Sequence, residues 1–88
     1  MTQHTVKEHQ TNMALPSGSQ HHYKAAEHHE KAAWYHRKAA NYYEQGEHFK
    51  AAHHAQVAYG HHLQALHHGQ EAAKIYAEEQ LAESQSGS

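Results

Sequence analysis

The 88-residue chain has no cysteine, one proline, one tryptophan and one phenylalanine. Without cysteine there is neither a disulfide framework nor a thiolate metal site. Large apolar side chains are scarce as well: Leu, Ile, Val and Phe number eight in all. A chain of this length and composition supports a single small domain, with a core that is marginal without a partner, a metal or a crosslink. An excess of charge of one sign is also missing. Seven Lys and Arg against nine Asp and Glu leave a formal charge of −2. That argues against nucleic acid and against an acidic membrane surface, because phosphate binding needs clustered cations. Low apolar content usually accompanies disorder, but disorder also calls for high net charge. No apolar run is long enough for a signal peptide or a membrane helix, so a cytoplasmic protein without a membrane partner is expected.

Two residue types fill the gap: fourteen histidines and sixteen alanines. Residues 1–19 carry no sustained periodicity and end in Pro-Ser-Gly-Ser, which reads as a mostly disordered arm. Residues 83–88 are polar and read as a disordered tail. Between them the chain repeats every seven residues, as AAEHHEK, AAWYHRK and AANYYEQ from Ala25 onward. With Ala25 as position a, alanine occupies a and b while His or Tyr occupies d and e. Such a repeat is the mark of a helix packed on other helices. Gly46 interrupts it, after which Ala51, Ala58, Ala65 and Ala72 resume position a. The expected elements are a helix over 20–45, a turn near Gly46 and a helix over 47–82. Gly60 and Gly69 lie within the second helix, where small residues suit a close-packed face.

The two phases check one another. Facing residues of an antiparallel hairpin have a constant number sum, and Ala25 with Ala65, Ala32 with Ala58 and Ala39 with Ala51 each give 90. The midpoint, 45, falls beside the turn that Gly46 marks independently. The fold class is therefore all-α: an antiparallel two-helix hairpin with alanine heptads. Alanine permits close approach but buries little area, so dimerisation of two hairpins into a four-helix bundle is expected.

This register stacks histidines into layers between the helices. His28, His29, His61 and His62 form one layer, and His21, His22, His67 and His68 a second near the open end. Tyr35 faces His54, and Tyr42, Tyr43, His48 and Phe49 gather at the turn. Convergent imidazoles suit Zn, Cu or Ni, so these eight histidines are the candidate metal ligands. Glu44 and Glu71 are the carboxylates in reach as further ligands. A metal-binding bundle for buffering, storage or sensing is the first expectation. The alternative is a non-catalytic structural or adaptor dimer whose histidines are packing groups or a pH switch. No HExxH, Glu-x-x-His or glycine-rich phosphate loop is present, so no catalytic residue is assigned and an enzyme is not expected.

The repeats AAEHHEK and AAWYHRK, followed by YYEQGEHFKAAHHAQVAYGHH, resemble small bacterial histidine- and alanine-rich proteins of unassigned function. The resemblance covers residues 21 to about 80 and implies a helical hairpin without a reaction. Ala39, Tyr42, Gly46, Ala51 and Ala58 are also spaced like the small and aromatic positions of one tetratricopeptide unit. The helices are too long for that unit, no proline ends the second, and it occurs only once, whereas solenoids need about three.

Overall fold

The computed structural model of the chain describes residues 17–86, with side chains as far as Glu83. Most of the expected N-terminal arm, residues 1–16, and the last two residues of the expected tail lie outside the described residues. Two helices make up the fold: α1, Gly18–Glu44, and α2, His48–Ser86. They pack antiparallel along the whole of α1.

Each boundary has a local cause. Ser17 sits in extended backbone and its hydroxyl accepts from the Gln20 N–H at 3.3 Å, capping α1. The helix thus begins two residues before the expected start, taking in Gly18 and Ser19. Its other end is a Schellman motif: the Glu47 N–H donates to the Tyr42 carbonyl at 2.8 Å, and the Gly46 N–H to the Tyr43 carbonyl at 3.0 Å. That closure requires a left-handed residue, and Gly46 supplies it with φ of +79°. The turn therefore falls where the break in the repeat places it. At its far end α2 runs to Ser86, four residues past the expected limit. Ala77 to Glu83 are all residues of middling to high helix propensity, with no glycine or proline to stop them.

The core is the alanine column. Ala25, Ala32, Ala39, Ala51, Ala58, Ala65 and Ala72 are the buried apolar residues, and Ala51 and Ala58 have no exposure at all. No large side chain is fully buried among the described residues, nor any charged one. The same sum of 90 sets Gly18 opposite Ala72, completing four layers of small residues. Position d flanks this column: His21, His28, Tyr35 and Tyr42 on α1, and His54, His61, His68 and Ile75 on α2, are all half-buried. The seam is thus an a/d stripe. Gly60 and Gly69 lie outside it, and a Cβ added to either would meet nothing within 4 Å.

Candidate functional site

Small residues at every a position bring the helices close enough for the d side chains to meet across the seam. His28 Nδ1 lies 2.9 Å from His61 Nδ1, and His21 Nδ1 lies 2.9 Å from His68 Nδ1. A hydrogen bond between two such nitrogens needs one Nδ1–H donor and one unprotonated acceptor, so the two rings of each pair are opposite tautomers. The next layer toward the turn has Tyr35 opposite His54. With no imidazole to meet, His54 turns its Nδ1–H to the carbonyl of Lys50 in its own helix, at 2.9 Å.

The layers join into one column. Ring centroids run from His21 to His68 (5.2 Å), His28 (5.9 Å), His61 (5.2 Å), Tyr35 (5.6 Å), His54 (6.0 Å) and Tyr42 (5.1 Å), crossing the seam at every step. Two of the three diagonal steps are nearly parallel, with planes 6° apart for His28 and His68 and 11° for Tyr35 and His61, while the third, His54 to Tyr42, is tilted by 40°. The α-carbons of a diagonal pair are offset by about 10 Å along the axis at 1.5 Å per residue. Helical side chains lean toward their own N-terminus, and in an antiparallel pair opposite leans close that gap. This lean is the signal that would have revealed a continuous column where the heptad alone shows separate layers.

The eight candidate ligands divide by column. His21, His28, His61 and His68, at d, meet across the seam as two pairs. His22, His29 and His62, at e, and His67, at c, are exposed on the flanks. His62 lies beside Tyr59 at 5.8 Å and His67 beside His68 at 5.3 Å. The expected four-histidine layers are thus two-histidine pairs with exposed neighbours. Among the described residues no group of three or more His, Asp or Glu side chains is gathered to hold a metal ion. Of the two carboxylates in reach, Glu71 is bound to Lys74 at 3.1 Å and Glu44 is exposed. At the turn, Tyr43 meets His48 edge-on at 5.6 Å, while Phe49 stands 92% exposed and takes no part in a cluster.

Burial, and then the facing His61, hold His28 below the usual imidazole value near 6.5; Lys31 and Lys24 add to this and Glu27 opposes it. Burial also lowers His68, followed by His21, His67, His28 and Lys24. The Glu71 carboxyl is drawn down by the hydrogen bond and the charge of Lys74. A pair bridged through Nδ1 accommodates one added proton on an outer nitrogen, but a second must break the bridge.

No helix of the described residues is long and apolar enough to cross a membrane. Comparison of the chain with protein-family models, with curated proteins and with solved structures finds no match.

Proposed function

We propose that the protein is a non-catalytic structural module, a helical hairpin that dimerises and whose seam histidines tie its stability to proton concentration. The supporting observation is the pairing itself: at His28–His61 and His21–His68, each Nδ1 is spent on the Nδ1 across the seam. Metal ligation through Nδ1 would require those bridges to open, and each bridged pair keeps only one unprotonated outer nitrogen, an Nε2, for a metal. The groups around them are few. Lys24, Glu27 and Lys31 act on His28 from its own helix, and His61 and His68 face it from α2. His68 is faced by His21 and His28 from α1 and neighboured by His67, with Lys24 acting from α1, and the Glu71 carboxylate of α2 acts on His21 and His67.

The sign of the response follows from the lowered values of His28 and His68. Below about pH 6.5 the unfolded chain binds protons that the folded seam resists, so stability falls. It is fully present above that pH and is lost progressively as pH descends toward the folded values. Thermal melting of the full chain between pH 8 and 5, with and without Zn(II), Cu(II) or Ni(II), tests the proposal. The melting temperature should hold steady above pH 7, fall below about pH 6.5, and ignore the metals at pH 7. A profile flat from pH 7 to 5.5 contradicts proton linkage. A rise of several degrees with one of the metals would instead support a metal-binding bundle that stores or senses that ion.

A further inference from the structure

The outward face of α2 carries a feature that the hairpin does not use. Residues 60–69 read Gly-His-His-Leu-Gln-Ala-Leu-His-His-Gly, which is the same in both directions except at its central Gln64–Ala65 step. Around that centre runs a stripe at alternating four- and three-residue spacing, from Ala52 through Gln56, Tyr59, Leu63, Leu66, Gln70 and Ala73 to Ala77. Every member is exposed and none is charged. Leu63, Leu66 and Tyr59 are 45%, 48% and 55% exposed, the largest apolar groups on it. The two glycines bounding the palindrome add a separate observation. Each weakens a helix, and the open space at both Cβ positions shows that nothing within the hairpin requires a glycine there.

We infer that this face of α2 binds the same face of a second copy, antiparallel, about a two-fold axis between Gln64 and Ala65. The inference rests on the dimeric reading above and gives it a surface and a register. A two-fold interface presents one patch to itself, so residue i meets j and j meets i. With a constant sum of 129, Leu63 of one copy falls opposite Leu66 of the other, twice about the axis. Further out Tyr59 meets Gln70, Gln56 meets Ala73 and Ala52 meets Ala77, the layers of an antiparallel two-stranded seam. Gly60 lies on one flank of this seam and Gly69 on the other, where missing side chains let the backbones approach. The absence of charge along the stripe means that contact buries no unpaired ion.

Sedimentation of the full chain should give twice its 10.0 kDa mass. Replacing Leu63→Glu and Leu66→Glu together should return the single-chain mass with helical circular dichroism retained. The absence of native cysteine allows the register to be read directly. Gln56→Cys and Ala73→Cys chains mixed under mild oxidation should cross-link to each other, whereas neither should cross-link to itself. Like positions stand 17 residues apart in this register, about 25 Å, far beyond disulfide reach. A single-chain mass for the unaltered protein at high micromolar concentration overturns the inference, as does self-linking of either cysteine variant. If the double glutamate variant loses its helices, the cysteine mixture decides alone. Monomers that still lose stability below pH 6.5 would discard this surface and leave the proton-linked seam standing.

Discussion

At each d position an imidazole's use depends on what stands opposite it. Facing another imidazole, as at His28–His61 and His21–His68, it bridges the seam through Nδ1. Facing Tyr35, His54 bonds to its own backbone instead. A bridge of this kind contributes a net 0.5–1.5 kcal/mol, about what one intramolecular hydrogen bond is worth. A double-mutant cycle on His28→Ala and His61→Ala, followed by chemical denaturation at pH 7.5, should therefore give a coupling of about 1 kcal/mol. The exposed His29→Ala should change stability by less than about 0.5 kcal/mol. Equal effects at His28 and His29 would mean that the d and e columns are equivalent.

Neighbouring columns also mark the limit of what the sequence discloses about the helices. The hairpin, its turn and its register were legible, because alanines at a on two segments share one sum and Gly46 marks its midpoint. The choice between d and e was not, since both columns carry His and Tyr and both alternate with a at three- and four-residue spacing. The physical difference lies on α2. There the e column contains Ala55 and Gly69, which would leave gaps in a seam, whereas His54, His61, His68 and Ile75 fill d without interruption. The extent of α2 was hidden for another reason: Glu78 to Glu83 lose the alanine period but keep helix propensity. At this scale the account depends on close approach. Ala58 has no exposure, so Ala58→Leu overpacks the seam and should cost about 1–3 kcal/mol in denaturation at pH 7.5. It should also weaken the pH response by pushing the paired rings apart. A variant as stable as the parent would show that the alanines are not in tight contact.

As a whole molecule the hairpin is long and thin, with α2 spanning about 58 Å at 1.5 Å per residue and a core made of alanine side chains. So little buried area leaves a small margin, and the groups beside the core gain influence accordingly. The column from His21 to Tyr42 runs most of the length of α1, so under the proposed proton linkage protonation would act on the whole seam. A second proton on either pair opens a bridge at the point where the helices meet. The exposed leucines and Tyr59 on the outer face of α2 offer additional burial that the alanine seam lacks, which is why we propose dimerisation and acid sensitivity together. The most direct test is nitrogen-15 NMR of the side-chain imidazoles of the intact chain at pH 7.5 and through acidification. Opposite tautomers for His28 and His61, and for His21 and His68, with coupling across each Nδ1–Nδ1 bridge, are expected, and loss of that coupling should accompany loss of helicity in acid. The same tautomer on both rings of a pair, with no coupling between them, would contradict the paired seam.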